Sequence, residues 1–501
     1  MINKYFLKTI KKKRHSFGDE SDMKLASIFS WIKYLYATEG RLKLTLSILA
    51  GVAFGAVMYF FGFNFTQIVA SVIFLETVLA TLLFWRYRLI IATIGVALFL
   101  ATKTLDVKHM LEFMHFDVIL FLIGMMVVVA YLKESGFFRW IAINLLKLTK
   151  WEPTLVMIVL MFLSAIFAAL VDEVTSILII MTLIFEICKF FQLNPVPFII
   201  SAVFATNIGS SATLLGNPVG ILIAFEAGLT FWEFARWATP IAILCVLITI
   251  FISLKFFKLH IEEFREKIKS ISLTELEKEF SFTIDKKKLK ISVVLFISVI
   301  SLIATHSIIE TLLDLEKNAM LLIASFLFAG IVFLLSPEEI AEYVEKHIEW
   351  RTLLFFMLLF AKAGALSYVG LTKIFAEELY SITGGNYLLL LIATLYSATI
   401  LSGFIDNVPV VATLIPVVKN ISEYGINPYP FWWALLYAGT YGGNLTMVAS
   451  TANIVSLGML DREFRQSISL SYWLKIGVPI VLITITLGCL WLLGNIILFP
   501  Y

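Results

Sequence analysis

Two stretches of this chain, about 234 residues apart, place carboxylates inside otherwise apolar sequence and follow them with a run of small polar residues. The first reads Ala169-Leu170-Val171-Asp172-Glu173-Val174-Thr175, then Thr206-Asn207-Ile208-Gly209-Ser210-Ser211-Ala212-Thr213. The second reads Gly403-Phe404-Ile405-Asp406-Asn407-Val408-Pro409, then Tyr441-Gly442-Gly443-Asn444-Leu445-Thr446. Asp172 precedes Gly209 by 37 residues and Asp406 precedes Gly442 by 36. A carboxylate at the centre of a bilayer costs roughly 2.5–3.5 kcal/mol on insertion scales. Two of them, each followed by a helix-breaking cluster at matched spacing, read as a duplicated ion or substrate site.

Composition sets the solvent. Hydrophobic residues make up 60% of the chain and charged residues only 15%, against about 25% charged in an average soluble domain. The reading is an all-α polytopic membrane protein. The net charge of +3 is close to balanced and gives no reason to expect a nucleic-acid partner. Cys188, Cys245 and Cys489 stand in apolar sequence without ligand spacing and read as core residues. There is no nucleophile motif or phosphate loop, so no enzyme activity and no cofactor are expected.

Hydropathy and positive charge set the topology. About 11 transmembrane helices are expected, in two inverted repeats, each with a re-entrant hairpin and a broken helix. A basic arm spans 1–43 and holds ten Lys and Arg. An extra helix follows at 44–66, then repeat 1 at 67–257, a linker at 258–290 with the run Lys286-Lys287-Lys288, and repeat 2 at 291–501. The basic arm and the linker place the N-terminus in the cytoplasm and the C-terminus on the opposite side of the cell membrane. Segments 154–170 and 176–191 either both cross, which exposes Asp172 and Glu173 to outer water, or form a hairpin that holds them at depth, shielded by protein. Charge counting does not separate the two; the symmetry with the second half favours the hairpin. Span 197–228 is too long for one straight crossing at 1.5 Å per residue and is broken at Gly209-Ser210-Ser211 and Gly216-Asn217-Pro218. Segments 135–149 and 371–385 read as interfacial amphipathic helices.

Broken helices leave backbone groups at mid-membrane that an ion or polar solute can satisfy. The neutral oxygens of Thr175, Ser210, Ser211, Thr213, Asn217, Asn407, Asn444, Thr446, Ser450, Thr451 and Asn453, with Asn207, are hard ligands suited to Na⁺ or a polar oxyacid. They also serve as packing residues in helix–helix contacts. Asp172, Glu173 and Asp406 are read as proton or cation carriers, with capping of the half-helices as the structural alternative for the two aspartates. Na⁺ and H⁺ are the expected coupling ions. Lys362, in the middle of a span, is the candidate charge partner, and Glu76 is a second mid-span charge that asks for one.

The run Ile123-Gly124-Met125-Met126-Val127-Val128-Val129-Ala130 with Glu134-Ser135-Gly136-Phe137-Phe138 resembles the arsenite permease, NhaD-type sodium–proton antiporter and melanosomal P-protein family. So do Thr206-Asn207-Ile208-Gly209, Asp406-Asn407-Val408-Pro409 and Gly442-Gly443-Asn444-Leu445-Thr446. The resemblance covers roughly residues 85–495. It implies the ion transporter superfamily fold, with a citrate transporter-like domain, scaffold and transport subdomains, oppositely directed hairpins and, in many members, a homodimer. It implies cation/proton exchange, proton-coupled export of arsenite or silicate, or, more distantly, sodium-coupled citrate and dicarboxylate transport. Glu173 departs from the family's usual Asn, and the first tip, Asp172-Glu173-Val174-Thr175, lacks the Ser-Asn-Thr of the dicarboxylate branch. A membrane scaffold or sensor that transports nothing is the rival class; inert proteoliposomes would favour it.

Overall fold

The computed structural model describes residues 38–498 apart from residue 270, so most of the basic arm lies outside the described residues. The chain divides into two units, one ending at Leu98 and one beginning at Phe99. In the first, α1 (Thr38–Phe60) and α2 (Phe65–Leu83) pack on each other. A capping box between Asn64 and Gln67 starts α2. Glu76 sits against Gly51, where a Cβ would fall 2.0 Å from its Oε1. The Ser47 hydroxyl donates to it at 2.6 Å. The mid-span charge therefore has a partner on the neighbouring helix. The next helix, α3 (Arg88–Ala101), is short, as its hydropathy predicts.

The second unit continues with α4 (Val107–Phe113), α5 (Phe116–Glu134), α6 (Phe137–Leu148), α7 (Pro153–Leu170), α8 (Glu173–Phe191), α9 (Val196–Gly209), α10 (Pro218–Ala227), α11 (Phe231–Trp237) and α12 (Thr239–Phe256). Then come α13 (Lys258–Ile268), α14 (Leu273–Glu279), α15 (Lys286–Ala304), α16 (His306–Leu313) and α17 (Ala319–Leu335). The last seven are α18 (Trp350–Tyr368), α19 (Leu371–Ile382), α20 (Tyr387–Phe404), α21 (Asn407–Ile421), α22 (Tyr429–Gly442), α23 (Thr451–Phe464) and α24 (Leu470–Leu498). No strand occurs among the described residues. Among the described residues, nine helices are long and apolar enough to cross a membrane alone, and up to twelve spans result if each sharply bent pair counts as one.

The internal repeat is visible in helix starts. Phe116 and Trp350, Phe137 and Leu371, Pro153 and Tyr387, and Glu173 and Asn407 begin paired helices at a constant offset of 234 residues. Even the glycines that admit the amphipathic helices match: Gly136 has φ +78° and Gly370 has φ +79°, a left-handed turn that other residues resist.

Hairpin and break lie side by side in both halves. α7 packs on α8 and α9, and α20 packs on α21 and α22. At the C-terminal end of α9 a Cβ on Gly209 would stand 2.4 Å from the Ala165 Cα, so only glycine allows this approach to α7. Just beyond, the Thr213 hydroxyl donates to the Ala169 carbonyl. In the second half the Thr446 hydroxyl donates to the Gly403 carbonyl at 2.7 Å. Each contact satisfies a carbonyl in the last turn of a hairpin arm, where no intrahelical donor remains. The two halves then exchange their broken segments: α10 packs against α21 of the other half, and α23 packs against α8.

The 258–290 linker is itself folded. α13 lays Ile261 and Phe264 into the interior beside α7, and Arg265 pairs with Glu152 at 2.9 Å. Its high charge density hid this amphipathic face. A second element not anticipated from hydropathy is Pro337–His347, which turns 107° away from α17 and leads into α18.

Candidate functional site

Four helices begin at the two hairpin tips and two breaks. Each is started by a residue with a short polar side chain. Asp172 holds the N-cap of α8 and its Oδ1 accepts from the amides of Val174 and Thr175 at 2.8 and 3.0 Å. Asn217 caps α10, accepting from the Gly220 amide at 2.8 Å, with Pro218 at the first helical position. Ser450 caps α23 through the Ala452 amide at 3.2 Å. Asp406 stands at the N-cap of α21 but makes no side-chain capping bond. The sequence removes one of the two donors that Asp172 uses. Three residues after Asp172 is Thr175, whose amide donates; three residues after Asp406 is Pro409, which has no N–H. The two aspartates that the repeat equates are thus used differently. Asp172 takes the capping role that the sequence left open for both.

Glu173 is buried to 2% exposure, and Asn217 Nδ2 donates to its Oε2 at 3.4 Å. Asp406 is also 2% exposed. Each half therefore contributes one buried carboxylate at its hairpin tip.

Around this pair runs a network of neutral groups that joins the halves. Asn207 Nδ2 donates to Asn444 Oδ1 at 2.8 Å and to Asn453 Oδ1 at 2.9 Å. The Ser450 hydroxyl donates to Asn207 Oδ1 at 2.9 Å. Asn453 Nδ2 donates to the carbonyls of Gly443 and Thr446, and Asn444 Nδ2 to that of Phe204. Asn217 Nδ2 also donates to Ser210 Oγ at 2.9 Å, and Ser210 to the Asn207 carbonyl. Ser211 donates to the Ile208 carbonyl. Asn407 is buried and donates its backbone N–H to the Ala449 carbonyl at 3.2 Å.

A cavity of about 110 Å³ opens beside this network. Asp172, Glu173, Thr175, Asn217 and Thr451 line it, together with Val408 and Phe356. Asn207, Asn444 and Asn453 do not; they form its buried support. Three lining residues were not foreseen: Lys133, His347 and Glu349. Charges at span ends read as interfacial, and only the turn at Pro337–His347 brings His347 to the cavity. There its Nε2 lies 2.5 Å from Glu134 Oε1. Lys362 is buried at 1% exposure on α18. It falls off the stripe of α18 formed by the lining residues Thr352 and Phe356. It does not line the cavity. Nor do three His, Cys, Asp or Glu side chains gather into a metal-type cage among the described residues.

Paired hairpins, broken helices and a buried polar centre define a polytopic membrane transporter. Residues 78–438 and 363–500 match the citrate transporter family model, and the chain belongs to that family. An uncharacterized transporter of Mycobacterium tuberculosis is 33% identical over 383 residues, covering 75% of this chain and 85% of its own length. Human P protein is 25% identical over 503 residues, covering 85% of this chain but only 60% of that protein. In fold the chain is similar to the YdaH transporter of Alcanivorax borkumensis, with a TM-score of 0.53, 14% identity, and coverage of 81% and 90% of the two chains.

Proposed function

We propose that the chain is an ion-coupled secondary transporter working by alternating access, either a Na⁺-type cation/proton antiporter or a proton-coupled exporter of a small oxyanion. The observation that carries this reading is that each half buries a carboxylate at its hairpin tip, Glu173 in one and Asp406 in the other. Helix N-termini attract anions. Here the starts of α8, α10 and α23 are occupied by Asp172, Asn217 and Ser450 of the chain itself. Among the described residues, no arginine lines the cavity. Three carboxylates, Asp172, Glu173 and Glu349, line it against Lys133 and His347, a balance that favours a proton or a small cation over an anion.

Depth supports the re-entrant topology. α7 and α9 stand side by side, and the tip of the α7–α8 hairpin lies level with the break after Gly209. α9 has 14 residues, so the break falls about 21 Å from its start, inside a hydrocarbon core about 30 Å thick. The N-terminus is assigned to the cytoplasm from the charge distribution, and a homodimer is expected from the resemblance. A second reading, sodium-coupled citrate transport, is favoured by the description of the family. It requires a cation to travel with the substrate into a cavity where Asp172, Glu173 and Glu349 outnumber Lys133 and His347. Purified protein in proteoliposomes with an internal pH dye, challenged in turn with Na⁺, Li⁺, arsenite, silicate and citrate, separates these readings. Proton movement on addition of Na⁺ or Li⁺ supports antiport, movement only with citrate supports the second reading, and inert vesicles contradict both.

A further inference from the structure

A second cavity, of about 550 Å³, lies beyond the first along the same helices. On α5 the first cavity is lined from Leu122 to Lys133 and the second by Phe116 and Asp117, at the opposite end of a 19-residue helix. On α10 the lining passes from Ile221 to Leu222, on α18 from Phe356 to Phe360, and on α21 from Val408 to Ala412. The partition is thus about one helical turn, or roughly 6 Å, thick.

Its centre is aromatic. Phe356 and Phe360 stack with centroids 6.2 Å apart and an interplanar angle of 21°. The edge of the Phe360 ring meets His115 at 5.4 Å and 82°. His115 Nδ1 in turn lies 3.2 Å from Glu226 Oε1, and Lys419 Nζ pairs with the other oxygen, Oε2. Glu226 ends α10 and Lys419 lies on α21, two elements that start at the carboxylate centre. His115, at the head of α5, belongs to neither hairpin nor break. We propose that Phe360 is the gate between the two cavities, that the second cavity is the far-side vestibule of one route, and that the His115–Glu226–Lys419 cluster latches the gate shut. The vestibule also presents Glu112 and Asp117, so it meets the far side with carboxylates in excess and suits the same small cation. This rests on the transporter reading above.

Site-directed labelling tests it without any transported solute, so its outcome is independent of which solute is carried. Cys188, Cys245 and Cys489 are buried and free and are first replaced by alanine or serine. In that background Thr175→Cys reports the first cavity and Ser367→Cys the second. A membrane-impermeant maleimide is applied to either face of sealed vesicles. Thr175→Cys is expected to react from the Lys133 face and Ser367→Cys from the Asp117 face. Adding Phe360→Ala should make Thr175→Cys react from both faces, with labelling from the Asp117 face rising at least tenfold. Phe360→Leu keeps bulk in the partition and should leave labelling one-sided. His115→Ala removes the latch without opening a hole and should give an intermediate rise, which keeps the proposal testable if Phe360→Ala fails to insert. One-sided labelling of Thr175→Cys in both the Phe360→Ala and His115→Ala backgrounds overturns the proposal, as does reaction of both reporters from the same face in the parent.

Discussion

Replacing Asn207 by alanine should loosen the joint between the halves, by an amount the geometry allows to be estimated. Its amide makes two bonds to Asn444 and Asn453 and accepts one from Ser450, all at 2.8–2.9 Å and fully buried. A hydrogen bond contributes about 1 kcal/mol net in soluble proteins and about 0.6 kcal/mol in membrane-protein double-mutant cycles. Three bonds therefore amount to roughly 2–3 kcal/mol. The survivors remain anchored, since Asn453 keeps Gly443 and Thr446 and Asn444 keeps Phe204. The expected result is a lower apparent melting temperature of detergent-solubilised protein, with the fold retained. Asn207→Asp sharpens the test. It still accepts from Ser450, but it turns the donor toward Asn444 Oδ1 and Asn453 Oδ1 into an acceptor, so it should destabilise more than alanine. A melting temperature within about 1 °C of the parent for Asn207→Ala, or Asp milder than Ala, would refute the reasoning.

Gly209→Ala places a Cβ 2.4 Å from the Ala165 Cα, which no rotamer can relieve, and should cost about 1–3 kcal/mol by overpacking, read as a lower melting temperature. Gly458→Ala, inside α23, meets nothing within 4 Å and is the control, expected to melt at or above the parent. Asp172→Asn retains an oxygen for the Val174 and Thr175 amides and should melt near the parent, whereas Asp172→Ala should lose about 0.5–2 kcal/mol in the same assay. Burial tends to raise the Glu152 carboxyl, but the Arg265 guanidinium, the Leu155 amide and Thr154 outweigh it and hold it below its ordinary value. Its contribution is therefore complete above the ordinary glutamate range and is lost as pH falls through the lower folded value. Hydrogen exchange of residues 258–268, corrected for intrinsic rate, should rise at acid pH in the parent and be raised at all pH values in Arg265→Ala.

The breaks, hairpins and amphipathic helices were legible because each interrupts an apolar run with glycine, proline or small polar residues. Gly209-Ser210-Ser211 and Gly442-Gly443-Asn444 mark the ends of α9 and α22 almost to the residue. What pairs with what was not legible. Asn207 meets partners 237 and 246 residues away, and nothing in a single sequence fixes such a contact. Pro409 removes one of the two amides that Asp172 uses, yet the unequal use of Asp172 and Asp406 needs the capping geometry to be seen. Lys133, His347 and Glu349 were hidden because a charge at the end of a span looks interfacial until the chain folds back over it. Lys362 reads as a candidate charge partner, and its helical phase sets it off the cavity-lining stripe of Thr352 and Phe356.

The claim that Glu173 and Asp406 carry the coupled charge is tested most directly by proton-linked flux in proteoliposomes containing Glu173→Gln, Asp406→Asn or Asp172→Asn, each at equal reconstituted amount. Both Glu173→Gln and Asp406→Asn are predicted to abolish solute-dependent proton movement while melting near the parent. Asp172→Asn, which keeps its cap, is predicted to retain it. Parental rate and parental pH dependence in both Glu173→Gln and Asp406→Asn would show that the pair is structural and that the coupled charge travels elsewhere.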